Sequence, residues 1–401
     1  VTLSQQEQRV ADEIARRGDA LLDDLRRHVG IPTGKNHRPG LDETRQRLTE
    51  RLERLGATTE LVQGDEKPAW LGGPTGDEIP PTAVCRRSQG ECPSSVLIAG
   101  HLDTVHEPES DFRELTIRDD GTATGPGCVD MKGGLVIAVA ALEALEHVGV
   151  PASWTFTLNS DEETGTYHSE RVLRSESASH DFGLALEPAL ADGSLAVERM
   201  GSGQFQLECF GRSAHVGRAF TDGVSAVTAL AERLVAIGAM PDPARGKIIN
   251  VGPVRGGAVT NAVPDYAAAW GNVRFPDQGV SDELAGELEA LQTQGEALPR
   301  AVLHRSFNRP AKPLIPGTEA LALRAREVAE SLGQSLPFAK TGGVCDGNIL
   351  QDAGLPTIDT LGVRGGGLHT PDEWIELDSL VERCQLLAIL IARLSAGGSE
   401  A

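Results

Sequence analysis

The residues able to do chemistry in this chain sit where apolar runs and glycine loops end. Val96-Leu97-Ile98-Ala99-Gly100 reads as a buried strand reaching its end, and His101-Leu102-Asp103 follows it. In extended backbone, residues i and i+2 face the same way. That places the Asp103 carboxylate to accept a ring N–H from His101, leaving the other nitrogen a better metal ligand. Gly125-Pro126-Gly127-Cys128-Val129-Asp130-Met131-Lys132-Gly133-Gly134 then sets a carboxylate in a glycine-rich loop ahead of a helix. Three further clusters follow the same rule: Asp161-Glu162-Glu163-Thr164-Gly165 after WTFTLNS, Glu187-Pro188 after Phe182–Leu186, and His369 after three glycines. Any one of these acids alone reads as a solvated loop carboxylate. Together, two histidines and three carboxylates suit two divalent ions that share one carboxylate, a pair about 3.5–4 Å apart that activates a water.

The elements that must position these groups alternate. Residues 4–28 and 42–57 have helical periodicity, the second closed by Gly56. Residues 64–95, rich in Gly, Pro and charge, read as loop with a strand or two. Strand 96–100, a buried helix from Leu135 to Glu146, and a strand from Trp154 to Leu158 imply an α/β domain whose functional loops lie at the carboxyl ends of its strands. Near residue 200 the texture changes. Gln204–Arg212 (strand), Gly223–Gly238 (helix), Lys247–Val254 and Tyr266–Phe275 (strands), Ser281–Gln292 (helix) and Ala301–Phe307 (strand) spell β-α-β-β-α-β, a ferredoxin-like α+β pattern. The α/β texture resumes from Leu314, with a helix to Leu332, a strand at Pro356–Leu361 and a last helix at 377–395. The expected organisation is therefore a catalytic domain in two parts, 1–200 and 310–401, interrupted by a domain at 201–309.

Composition narrows the partners. The 401 residues are ordinary for a soluble globular protein, 40% hydrophobic and 24% charged. The net charge of −21 leaves no basic footprint for nucleic acid or an anionic membrane. The opening segment is polar and amphipathic, unlike a signal peptide, and no run of about 18 apolar residues predicts a membrane span. Six cysteines, at 85, 92, 128, 209, 345 and 384, lack zinc-finger spacing and read as reduced thiols of a cytoplasmic protein, with pairing of Cys85 and Cys92 left open.

In order along the chain, AGHLDTV, GPGCVDMKGG, SDEETG, ALEPA, GRSAHVG, TNAVPD, NVRFP, GGVCDGN and GGGLHTPDEW resemble the zinc amidohydrolases that include glutamate carboxypeptidase, acetylornithine deacetylase and succinyl-diaminopimelate desuccinylase. The resemblance covers almost the whole chain and is nearest to glutamate carboxypeptidase. It implies two Zn²⁺ per subunit, with Co²⁺ or Mn²⁺ as substitutes. His101 and Glu187 would hold one ion, Glu163 and His369 the other, and Asp130 would bridge. It further implies Glu162 as general base, Asp103 as the orienter of His101, and His215 of the inserted lid as oxyanion donor. In many relatives that histidine crosses a dimer interface, so a homodimer through 201–309 is expected. Arg274 and Asn261 would bind a small substrate, an N-acyl amino acid or short peptide. The implied reaction cleaves an amide beside a free carboxylate; deacylation of N-acyl amino acids is the alternative. Cys345 stands where the family usually has Ser or Thr, and Arg364 is a second possible carboxylate reader. Two rivals are a non-catalytic binding relative and a cysteine hydrolase using Cys345 or Cys128.

Overall fold

The computed structural model describes residues 2–397; residue 1 and residues 398–401, the outer ends of the expected first and last segments, lie outside it. The chain divides into two compact units. One comprises the residues up to Glu198 together with 314–341 and those from Cys345 onward; the other comprises 199–313 and 342–344.

The first unit is built on a six-stranded mixed sheet, in the spatial order Thr58–Val62, Thr82–Arg87, Trp154–Asn159, Val96–His101, Phe182–Ala185, Thr357–Ile358. The last four run parallel to one another, and Thr82–Arg87 is antiparallel to both of its neighbours. Alternation along Val96–His101 explains its unbroken apolar sequence. Val96 and Ile98 enter one cluster with Ile14, Leu25, Ile137 and Ile389 of the flanking helices. Leu97 and Ala99 enter a second cluster with Leu173, Ile349 and Leu350. A strand covered on both faces needs apolar residues at every position.

One expectation is revised and another made specific. Residues 4–28 form two helices, Gln5–Arg16 and Gly18–Val29, because the chain turns at Arg17 (φ −96°, ψ 10°) ahead of a glycine. The Arg17 guanidinium pairs with Glu143 on helix Gly133–Val148, tying the turn to the core. Within 64–95, Thr82–Arg87 is an inner strand of the main sheet, its first four residues buried.

The second unit is a four-stranded antiparallel sheet in the order Ile248–Gly256, Tyr266–Phe275, Gly201–Phe210, Arg300–Arg309. Helices Ala226–Gly238 and Gln278–Glu289 complete the β-α-β-β-α-β sequence. Its core gathers Phe205, Leu207, Leu230, Val273, Phe275 and Leu284.

Close packing at one glycine bears directly on the chemistry. A Cβ on Gly134, at the start of helix Gly133–Val148, would lie 2.3 Å from the carbonyl oxygen of Leu186, the residue before Glu187. Gly134→Ala gains helix propensity of up to about 1 kcal/mol, but overpacking against backbone costs about 1–3 kcal/mol. We expect it to lower the unfolding temperature. Gly286→Ala, on a helix surface with nothing within 4 Å of the added carbon, should raise it. Calorimetry of both variants checks the pair of signs.

Candidate metal centre

Three neighbouring parallel strands aim their carboxyl ends at one place. His101 ends its strand, Glu162 and Glu163 follow Trp154–Asn159, and Glu187 follows Phe182–Ala185. Asp130 joins them from the irregular helical turn Cys128–Lys132, entered through Gly127 at φ 69°. His369 joins from the loop between Gly365–Gly366 and Trp374–Glu376, with its own φ at 63°, a left-handed conformation uncommon outside glycine.

The five candidate ligands fall into two sets that share Asp130: His101, Asp130 and Glu187, and Asp130, Glu163 and His369. His101 Nε2 lies 3.2 Å from Asp130 Oδ1 and 3.8 Å from Glu187 Oε1. His369 Nε2 lies 3.5 Å from Asp130 Oδ2 and 3.3 Å from Glu163 Oε2. Asp130 thus turns a different oxygen to each histidine. These separations exceed the ~2.7–2.9 Å of a charge-assisted hydrogen bond. They bracket the ~3.3–3.4 Å between two N or O ligands placed tetrahedrally about 2.0–2.1 Å from a shared ion. Glu163 Oε1 is buried without a hydrogen-bond partner, a further atom left for a cation. The residues present fit two divalent ions. Each set supplies three protein ligands and leaves a coordination position open, as catalytic sites do.

Charge repeats the argument. Burial would raise the Asp130 pKa, but hydrogen bonds from His101 and His369 outweigh it and hold the carboxyl below its usual range. Burial pushes Glu163 up, with the Asp130 charge adding to it. Burial would lower His101, yet Asp103 and Asp130 carry it well above the ordinary imidazole value. Hydrogen bonds to Asp130 and Glu163 raise His369 to about 10. Without an ion the two imidazoles keep protons as counter-charge, so metal binding must expel them.

Asp103 acts differently from the expectation. The His101 Nδ1–H donates to the Asp103 backbone carbonyl at 2.9 Å, while the nearest carboxylate oxygen is 3.5 Å away. A carbonyl only accepts, so the proton stays on Nδ1 and Nε2 faces Asp130. The carboxylate instead accepts the backbone N–H groups of Glu162 (3.2 Å) and Glu163 (2.9 Å), bracing the turn that carries both.

Three further acids, inside the SDEETG, GGVCDGN and GGGLHTPDEW motifs, take roles that sequence reasoning did not assign. Asp161 accepts from the His168 backbone N–H at 2.7 Å and the Ser169 hydroxyl at 2.6 Å. Burial, with Asp103 and Asp346 nearby, pushes its carboxyl up to about 7. Asp346 in turn accepts from the Asn159 amide and the Thr166 hydroxyl. Glu373, inside the GGGLHTPDEW motif, accepts backbone N–H groups from the Asp130 loop.

Arg364 is corrected as a carboxylate reader: its guanidinium is paired with Glu376 and Glu382, each at 2.6 Å. Cys345 is buried at the N-terminus of helix Asp346–Asp352. Cys128 is also buried, which pushes its thiol well up and away from the nucleophilic thiolate. All six cysteines are free thiols, so Cys85 and Cys92 do not pair.

In the second unit, His215 and Asn261 are neighbours. His215 pairs with Ala262 in a two-residue ladder, and the Val216 N–H donates to the Asn261 carbonyl. His215 Nδ1 accepts the Gly217 N–H at 3.1 Å, which leaves Nε2 as the donor of the neutral ring. Arg274 lies on Tyr266–Phe275, half-buried, its Nε donating to Asn272 Oδ1 at 3.2 Å and its Nη1 buried without a partner. Burial, and the charge of Arg309, lower its pKa.

Comparison with known proteins identifies the family. Carboxypeptidase G2 of Pseudomonas sp. (strain RS-16) is 28% identical over 386 residues, covering 94% of this chain and 90% of that protein. Succinyl-diaminopimelate desuccinylase 2 of Shewanella loihica is 26% identical over 330 residues, covering 76% of this chain and 86% of its own length. The crystal structure of a tripeptidase from Staphylococcus aureus superposes with a TM-score of 0.74 at 24% identity, covering 94% of this chain and 99% of that one. Residues 97–393 match Peptidase family M20/M25/M40, and the chain belongs to that family of metallopeptidases and amidohydrolases.

Proposed function

We propose that this enzyme hydrolyses an amide bond next to a free carboxylate, in the manner of a glutamate carboxypeptidase, at a centre of two divalent ions, Zn²⁺ in the first instance. The observation that carries the reading is the pair of three-ligand sets meeting on the two oxygens of Asp130. Likeness to carboxypeptidase G2 along nearly the full chain favours the carboxypeptidase direction. The desuccinylase relatives keep N-acyl amino acid deacylation as the second reading. The six free cysteines support a reducing, cytoplasmic setting, and no helix among the described residues is long and apolar enough to cross a membrane.

When bound, the ions supply a water of lowered pKa and polarise the scissile carbonyl. The chain's own groups do the rest. Glu162, beside the ligand Glu163, takes a proton from the attacking water and returns it to the leaving amine. His215, with its proton on Nε2, donates to the developing oxyanion. Arg274 receives the substrate carboxylate: its guanidinium is half-buried, held at one edge by Asn272 and short of an acceptor at Nη1. A second copy of the chain is supported by the open edge strand Ile248–Gly256. It exposes Ile248 and Val254, next to the exposed Val227 and Val235 of helix Ala226–Gly238.

Glu162→Gln should keep both ions and substrate affinity but lose about 10²–10⁴-fold in turnover, since an amide cannot accept the proton. Glu163→Gln should instead lose metal. Metal analysis beside kcat for the two variants checks the assignment, and the reverse pattern exchanges their roles.

His215→Ala should leave fold and metal content intact while lowering kcat about 10²–10³-fold, the scale for one oxyanion donor. If His215 acts across a dimer, mixing that variant with Glu162→Ala should recover activity, because one hybrid site then holds both native groups. Verified heterodimers without recovery would place its action within one chain.

Arg274→Lys conserves charge but loses the planar two-bond grip. With charge-assisted bonds worth about 1.5–3 kcal/mol, kcat/KM for substrates bearing a free carboxylate should fall about ten- to a hundred-fold. Amidated substrates should be poor already and lose little more. Equal loss on acid and amide substrates would make Arg274 a structural residue of its sheet.

A further inference from the structure

Glu373 shares the loop of His369 and is 1% exposed. Its carboxylate collects four donors. Oε1 accepts the backbone N–H groups of Val129 at 2.9 Å and Asp130 at 3.0 Å. Oε2 accepts that of Gly127 at 2.9 Å and pairs with His106 Nε2 at 2.5 Å. The Glu373 backbone adds a bond, its carbonyl accepting the Gly125 N–H at 3.3 Å. The following strand, Trp374–Glu376, pairs with Thr122–Thr124 just upstream of the same loop. One side chain thus holds nearly the whole turn that presents Asp130, from the loop that presents His369.

We propose that Glu373 is a positioning residue. Its carboxylate fixes the backbone of 127–130 so that Asp130 turns one oxygen to His101 and the other to His369. This rests on the dinuclear reading of Asp130. The donor count explains the residue type. Two carboxylate oxygens have lone pairs for all four N–H groups, whereas a glutamine offers one oxygen and an NH₂ that would face two of the donors. A shared ligand has little tolerance, because a functional group must hold its place to within about 0.5 Å. Glu373 belongs to neither candidate ion set and reaches both through the Asp130 backbone, so its effect passes through Asp130.

The test compares Glu373→Gln, Glu373→Asp, His106→Gln and Asp130→Asn with the native full chain. Three quantities are measured: competition for Zn²⁺ with a chromophoric chelator, the visible spectrum of the Co²⁺-loaded protein, and kcat and KM at saturating metal. Far-UV circular dichroism of the metal-free proteins confirms that each variant is folded. Glu373→Gln should weaken metal retention about 10–100-fold, the usual scale for groups that orient ligands. It should also shift the Co²⁺ spectrum and lower kcat while leaving KM nearly unchanged. Glu373→Asp keeps the charge but falls short of the four donors, and should show the same changes to a smaller degree. It carries the test if the glutamine variant does not fold. His106→Gln leaves the three backbone bonds in place and should change retention the least. A purely structural role would lower unfolding temperature alone. If folded Glu373 variants retain metal and spectrum like the native protein while Asp130→Asn loses metal, the positioning role is overturned. If Asp130→Asn also retains both ions, the dinuclear reading itself falls, and the positioning role falls with it.

Discussion

A buried carboxylate shared by two imidazoles is the constraint on which the catalytic unit is built. Asp130, Glu163 and Glu187 bring three negative charges to one spot beside two histidines, and Asp130 is 7% exposed. Groups so placed repel one another and have lost much of their hydration, a cost of several kcal/mol per ion even after relaxation. Such a cluster persists only with counter-charge. In the chain alone it comes from protons, which is why His369 is raised to about 10 and His101 well above its ordinary value. Two divalent cations would supply four charges in the same space and take the place of those protons.

Holding that cluster together falls to two more carboxylates, used as backbone clamps. Asp103 braces the Glu162–Glu163 turn through two N–H groups while its carbonyl orients His101. Glu373 braces the Asp130 loop from the side of His369. The candidate ligands arise from five separate segments: three at strand ends, one on a glycine-rich turn, and His369 on its own loop. Loops at strand ends are the mobile part of an α/β sheet, so precision there must come from bonds between loops. A carboxylate accepting several N–H groups provides it without adding an unpaired donor.

What the sequence made legible follows from periodicity and punctuation. The Tyr266–Phe275 strand, the β-α-β-β-α-β order and the buried Val96–His101 strand each depend on a local pattern that packing then reinforces. The five candidate ligands were legible for a related reason: each stands just past an apolar run or inside a glycine loop, and the structure brings all five together. Hydrogen-bond partners were not legible. His101-x-Asp103 spacing points to the carboxylate as acceptor, but the strand ends at His101, and beyond it the backbone carbonyl lies nearer than the side chain. Arg364 read as an available guanidinium because Glu376 and Glu382 reach it only through tertiary packing. Glu373 stood within a recognisable motif, yet its role depends on a loop some 245 residues earlier, a distance no local pattern spans.

The donor types also bear on which metal the centre takes. All five candidate ligands are imidazole nitrogens or carboxylate oxygens. Cys128, two positions from Asp130, belongs to neither set, and burial keeps its thiol protonated. Thiolates are what steer a site toward soft metals, whereas mixed nitrogen and oxygen ligands accept Zn²⁺, Co²⁺ and Mn²⁺ in turn. Affinity among these ions follows the general order of the divalent series, with Mn²⁺ weakest. A site of this kind would fill according to which ion is supplied, while Asp103 and Glu373 tie the loops that carry its candidate ligands.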